Sequence, residues 1–190
     1  MGIDALMQRK AVFLDRDGVI NANVFYADSG EVEAPRTVDE FQLLPGAIEA
    51  MRRLQAHGYL LFVVSNQPNQ AKRKATRADH DAIHACLTGA LEREGVAVEA
   101  FFYCFHHPNG AEPTLSGPCE CRKPSPFFLN QARDRFDLDM PQSWLIGDRE
   151  SDIACGRAAG VKTIFIGPSN SVLADHTVPA LSAATAILCE

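Results

Sequence analysis

The sequence predicts an α/β fold, a doubly wound, Rossmann-like parallel sheet with helices on both faces. Three observations predict it. Short, continuous apolar runs recur along the chain, at residues 11–14, 60–64, 100–103, 144–146 and 163–166. Runs of that kind suit parallel strands buried on both faces. Helical patterns separate them, and polar residues able to do chemistry stand directly after several of them. Strand–helix alternation calls for an open parallel sheet.

The elements follow in order. Ala11-Val12-Phe13-Leu14 ends at Asp15. Pro45-Gly46 then opens a helix with Ile48, Met51 and Leu54 three apart, stopping at Gly58. The second strand ends at Ser65. Residues 79–94 form a second helix, with Ile83, Leu87 and Leu91 four apart. The third strand ends at Cys104, and a third helix covers residues 126–136. The fourth strand ends at Gly147-Asp148, a fourth helix covers 150–159 and stops at Gly160, and the fifth strand ends at Gly167. Two segments stand outside the alternation. Residues 22–44 form an excursion, read as a small flap. Residues 104–123 form a turn-rich insertion with Pro108, Gly110, Pro113, Gly117 and Pro118. Neither excursion is long enough for a large cap domain, so the chain, 1–190, is expected to be one domain with an open crevice.

Bulk properties narrow the function. The chain has 190 residues, 46% of them hydrophobic and 22% charged, which is ordinary for a globular domain. No apolar run approaches the roughly 20 residues that span a bilayer. Residues 1–10 lack the apolar stretch of a signal peptide. A cytoplasmic protein with no membrane partner is expected. The formal net charge of −6 disfavours nucleic acid as a partner, because such binding rests on Lys and Arg. A monomer is expected.

Asp15-Arg16-Asp17-Gly18 follows the first strand. Two carboxylates so close need a partner, and a divalent cation is the simplest. Asp15 is placed to attack phosphorus, and Asp17 to protonate the leaving oxygen. A carboxylate nucleophile gives an aspartyl-phosphate and splits one hard step into two. The plain alternative is a polar turn. Ser65-Asn66 offers a hydroxyl and an amide to phosphoryl oxygens, or else caps a turn; alone, the cap is preferred. Arg122-Lys123-Pro124 places Pro124 in a first helical turn and Lys123 beside a helix N-terminus, where anions are favoured. Lys123 would neutralise a transferring phosphoryl group, and Arg122 would fork onto a second anion. The alternative is a solvated basic pair. In Gly147-Asp148-Arg149-Glu150-Ser151-Asp152, Asp148 would complete a magnesium site. Asp152, one turn on, would orient Lys123 or water on the metal; Glu150 fits the helix dipole better.

The six cysteines divide. Cys86, Cys155 and Cys189 read as structural. Cys104-Phe105-His106-His107 and Cys119-Glu120-Cys121 offer three thiols and an imidazole, enough for a closed tetrahedral zinc site. A long irregular loop needs some staple, which favours a metal over free thiols. Such a site would hold Arg122-Lys123 rigidly, because Cys121 is their neighbour.

In combination these motifs resemble the four-motif signature of the haloacid dehalogenase superfamily, over residues 11–167. The resemblance implies a magnesium-dependent phosphatase acting on a small phosphorylated metabolite. In it Asp15 is the nucleophile, Asp17 the general acid and base, Ser65 and Lys123 phosphoryl stabilisers, and Asp15, Asp17 and Asp148 the magnesium ligands. Phosphoryl transfer is mostly positioning and electrostatics, which suits such a set. The cysteine insertion is similar to the zinc loop of the D-glycero-D-manno-heptose-1,7-bisphosphate phosphatases, shared with histidinol-phosphate phosphatases. That implies Cys104, His106, Cys119 and Cys121 as structural zinc ligands, with His107 left out. It also implies substrate contacts from Arg122, from Arg149, and from the Asn23 to Tyr26 segment, Asn23 and Tyr26 above all. Arg16, Asn66 and Gln67 are assigned to the substrate with them. A sugar phosphate, a heptose bisphosphate first, is the expected substrate, with histidinol phosphate or another small metabolite as the alternative. A non-catalytic zinc-stapled binding domain is disfavoured by the intact Asp15, Asp17, Lys123 and Asp148.

Two segments depart from that family. Where it carries a Ser-Gly-Ile-Ala-Arg-Gly stretch, this chain reads Pro68-Asn69-Gln70-Ala71-Lys72-Arg73-Lys74. That run is read as a solvated helix start, with contact to a second phosphate as the alternative. Residues 27–37 are also longer and more acidic than in the family.

Overall fold

In a computed structural model, residues 9–169 and 171–189 are described. Strands β1 (Ala11–Leu14), β4 (Leu60–Asn66), β5 (Ala100–Cys104), β6 (Trp144–Gly147), β7 (Lys162–Ile166) and β8 (His176–Val178) form one sheet. Its order is β5-β4-β1-β6-β7-β8 and every pairing is parallel. The chain winds outward from β1 through β4 to β5, crosses back over β1, and winds outward again from β6. The reversal lies at the carboxyl end of β1, where ligands of open α/β sheets bind.

All four residues of β1 are buried, and they alternate between two cores. Val12 and Leu14 join the face covered by α1 (Ala47–Ala56), α2 (Arg77–Arg93) and α5 (Leu181–Leu188). Ala11 and Phe13 join the face covered by α3 (Phe127–Phe136) and α4 (Glu150–Ala159). The second face is aromatic: Phe13 stacks on Phe62 with centroids 5.2 Å apart, and Phe136 meets Phe62 edge-on at 5.0 Å. Residues 22–44 include a two-stranded hairpin, β2 (Val24–Tyr26) and β3 (Glu31–Glu33), which is the expected small flap.

The structure corrects four readings. Strand β4 runs on through Ser65 and Asn66, because these pair with Tyr103 and Cys104 of β5. Residues 68–74 start no helix; they form turns, and α2 begins at Arg77 behind the Thr76 cap. Pro124 is not in a first helical turn either. Helix α3 starts at Phe127, because Ser125 precedes Pro126, and a residue before proline is pushed out of the helical region. Lastly, β8 and α5 close the sheet and had no counterpart in the sequence reading. A three-residue edge strand and an alanine-rich eight-residue helix are too short to show a period.

Leu181 of α5 is 3% exposed in the first core. Leu181→Ala should cost about 2–5 kcal/mol in urea denaturation. A loss under about 0.5 kcal/mol, the range of surface substitutions, would remove α5 from the core.

Candidate active site

Asp15 stands one residue past β1, its N–H bonded to the Ile146 carbonyl of β6 at 2.9 Å. Its Oδ1 accepts from the Arg16 N–H at 2.8 Å and lies 3.0 Å from Lys123 Nζ. Lys123 is buried, and its Nζ also lies 2.7 Å from Asp152 Oδ1 and donates to the Val64 carbonyl of β4 at 2.6 Å. Burial works against the Lys123 charge, but Asp15 and Asp152 outweigh it and raise its pKa. Asp152 therefore orients Lys123, as one reading of the sequence expected. Its Oδ2 also accepts from the Arg149 N–H at 3.0 Å, capping α4. A side chain at Gly147 would start 2.2 Å from Asp152 Cβ, so glycine at 147 is needed for this approach.

Asp148 follows β6. Its Oδ2 accepts from Asn23 Nδ2 at 3.0 Å, and its Oδ1 is buried with no hydrogen-bond partner among the described residues. Burial, then Asp15 and Asp152, push its carboxyl up to about 7. Gly18 has φ +84°, and a Cβ there would sit 2.1 Å from Asp148 Oδ2; only glycine fits the turn. Oxygens of Asp15, Asp148 and Asp152 lie within 4.8 Å of one another. Crowded carboxylates with an orphaned buried oxygen suit a hard divalent cation.

The other expected residues divide. Asp17 lines the crevice, but its carboxylate accepts from Arg16 at 3.0 Å, Asn21 at 2.9 Å and Gln67 at 2.6 Å, and stays outside the carboxylate group. Ser65, Arg122 and Arg149 also line the crevice. Asn66 lines it too and clamps the Lys123 main chain, accepting from its N–H at 3.1 Å and donating to its carbonyl at 3.2 Å. Asn23 reaches the site through Asp148. Asp148 and Asn23 stand at the carboxylate group without lining the crevice, and three further assigned residues do not face it. Arg16 is wholly excluded from solvent, between Asp17 and Gln67 and over the Tyr103 ring. Gln67 is buried behind Asp17 and Ser65. Tyr26 packs inside the flap, its hydroxyl donating to Glu40 at 2.7 Å and accepting from the Arg36 N–H at 2.9 Å.

The crevice holds about 140 Å³. Two charged residues outside the assigned set also line it, Glu33 of β3 and Lys72 of the basic run. Lys72 and Lys74 each lie 2.6 Å from Glu33, and Lys74 lies 3.3 Å from Glu31. The two departures from the family pattern thus meet each other, acidic flap against basic turn. Their opposite charge was the signal that could have paired them.

A second group gathers at the end of β5. Cys104 Sγ lies 3.2 Å from Cys121 Sγ and 3.6 Å from Cys119 Sγ; Cys121 and Cys119 lie 3.7 Å apart. His106 Nδ1 is 3.6 Å from Cys121 Sγ and 4.0 Å from Cys104 Sγ. The edges of a tetrahedron with Zn–S bonds of about 2.3 Å are about 3.8 Å. The four residues are arranged to hold one metal ion. His107 is outside the group, accepting from the Asn109 N–H at 3.1 Å. Arg122, next to Cys121, donates to the His106 carbonyl at 3.1 Å, so the cluster does position it.

The HAD-hydrolase-like family model matches residues 120–183. The D-glycero-beta-D-manno-heptose-1,7-bisphosphate 7-phosphatase of Salmonella typhi is 39% identical over 153 residues, covering 80% of this chain and 77% of that protein. The D-glycero-alpha-D-manno-heptose-1,7-bisphosphate 7-phosphatase of Photorhabdus laumondii is 33% identical over 157 residues, 83% of this chain and 81% of that one. Among solved structures, the D,D-heptose 1,7-bisphosphate phosphatase of B. bronchiseptica, complexed with magnesium and phosphate, aligns with TM-score 0.78 and 28% identity, over 94% of this chain and 97% of that chain. A HAD-like phosphatase of Mesorhizobium loti aligns with TM-score 0.81 and 26% identity, over 96% and 87%. On this fold and these identities, the chain belongs to the haloacid dehalogenase-like phosphoric monoester hydrolases, in the family of the heptose-1,7-bisphosphate 7-phosphatases.

Proposed function

We propose that this chain, as one phosphatase domain over 1–190 with a metal-stapled insertion at 104–123, hydrolyses a sugar phosphate, a D-glycero-D-manno-heptose 1,7-bisphosphate first, through an aspartyl-phosphate. One observation carries the reading: Asp15 and Lys123 meet in one crevice at the switch point of the sheet, with a carboxylate oxygen of Asp148 within 4.8 Å of one of Asp15. Relatives of the same fold that act on heptose bisphosphates support the substrate.

Asp15 attacks the phosphorus, and the bond to the sugar oxygen breaks as Asp17 gives that oxygen a proton. Water then attacks the aspartyl-phosphate, returns a proton to Asp17, and leaves as inorganic phosphate with Asp15 restored. Asp17 lines the crevice, and carrying the proton it gives up there would loosen its bonds from Arg16, Asn21 and Gln67. Asp15 and Asp148 would hold magnesium by their carboxylates. Magnesium, when bound, supplies positive charge on the phosphoryl oxygens. Lys123 adds a fixed charge to the same oxygens, Ser65 a hydroxyl, and Arg122 and Arg149 meet the rest of the substrate. Cys104, His106, Cys119 and Cys121 would hold zinc as a closed structural site.

Phosphate release should be followed with magnesium over heptose 1,7-bisphosphate, hexose bisphosphates, histidinol phosphate and a nucleotide. The sugar bisphosphate should be fastest, Asp15→Asn should lose about 10³-fold or more, and Asp17→Asn about 10²–10⁴-fold. An Asp15→Asn protein as active as the parent would sink the mechanism. Metal analysis of the purified protein should find about one zinc per chain, lost in Cys119→Ser, with Tm lower by more than about 5 °C. Equal zinc content in the two proteins would remove Cys119 from the site.

A further inference from the structure

One wall of the crevice carries charges that the proposed chemistry leaves unused. Glu33 ends β3, is 8% exposed, and shares the crevice surface with Lys72. Lys72 Nζ donates to Glu33 Oε1 and Lys74 Nζ to Glu33 Oε2, both at 2.6 Å, with Arg36 3.6 Å away. Each oxygen thus takes one ammonium group, as two oxygens of a phosphate would. Burial raises the Glu33 pKa, but the hydrogen bonds from Lys72 and Lys74 outweigh it and bring it down to about 2, so the carboxylate stays charged. Among the described residues, Arg122 and Arg149 line the crevice without a carboxylate at hydrogen-bond distance, Asp148 coming to 4.0 Å of Arg149. Two cations of the basic run are therefore already taken by an anion of the same chain.

We propose that Glu33 is a specificity-determining residue, an internal anion that occupies the Lys72–Lys74 pair and competes there with a second phosphate of the substrate. The proposal rests on the phosphatase reading above. A second phosphate reaching this wall must displace Glu33, which is also the tie of the flap to the turns after β4. A monophosphate makes no such demand. Glu33 therefore lowers what a second phosphate contributes to binding, a discrimination built from repulsion and competition.

The test compares kcat/KM for fructose 1,6-bisphosphate and fructose 6-phosphate, with magnesium, in the parent protein, Glu33→Gln and Glu33→Gln/Lys72→Gln. The bisphosphate-to-monophosphate ratio should rise at least about fivefold in Glu33→Gln through a lower KM for the bisphosphate, and the gain should vanish in the double variant. A ratio within about twofold of the parent, or a gain that survives loss of Lys72, overturns the proposal. If Glu33→Gln does not fold, Glu33→Asp, too short to span both lysines, should raise the ratio by a smaller step; no rise counts against the proposal. If the parent hydrolyses no sugar phosphate, the phosphatase reading fails instead. The internal anion is then judged by thermal unfolding: fructose 1,6-bisphosphate should raise the Tm of Glu33→Gln more than that of the parent, and an equal shift overturns it.

Discussion

The site depends on the charge balance around Lys123. Its ammonium lies between Asp15 and Asp152 and is bonded to the Val64 carbonyl. Four segments meet on that one nitrogen: the end of β1, the body of β4, the last residue of the insertion, and the first turn of α4. A buried ion pair brings little net stability, because desolvation offsets the attraction, but losing one partner strands a buried charge. The arrangement therefore specifies geometry more than it adds stability. It aims the Asp15 carboxylate and places a positive charge where a phosphoryl group would arrive.

The same balance resolves the difficulty of an acidic chain with an anionic substrate. The net charge is −6, yet the crevice gathers Lys72, Arg122, Lys123 and Arg149. Asp15, Asp148 and Asp152 crowd opposite them, and burial, together with that crowding, raises the Asp148 carboxyl to about 7. Crowding of this kind is a demand for a cation, and it is local. The charges elsewhere on the chain do not enter, because solvent screens exposed charges beyond about 10 Å.

Two walls complete the crevice by different means. The insertion is held by a cluster of three thiols and an imidazole and carries Arg122 in place through the His106 carbonyl. The flap is held by ion pairs from Glu31 and Glu33 to Lys72 and Lys74. A metal held by that cluster would make a stiff staple, whereas partly exposed ion pairs exchange partners with salt and with other anions. One wall is thus built to stay and the other to respond.

Much of the fold and site was legible in the sequence. Buried parallel strands read as continuous apolar runs, and a chemical residue directly after such a run lies at the carboxyl edge of the sheet. That is why Asp15, Ser65, Cys104 and Asp148 could be placed before any coordinates. The glycines of the motifs carried the same information, since Gly18 and Gly147 mark where backbone and carboxylates nearly touch. What could not be read was the direction of side chains within a motif. Arg16 and Asp17 are neighbours of Asp15, yet one is sealed in the core and the other turned to three donors. Resemblance to the family implies a substrate contact for Tyr26, which packs inside the flap instead. The pairing of residues 31–33 with 72–74 was hidden because it joins a three-residue flap strand to a turn about 40 positions away, and such side-chain pairings follow no period. By itself the sequence determined the strand edges and the residue types at them, because both are local consequences of burial. Tertiary structure alone decided which charges face one another, because that depends on distances between segments that no spacing along the chain encodes.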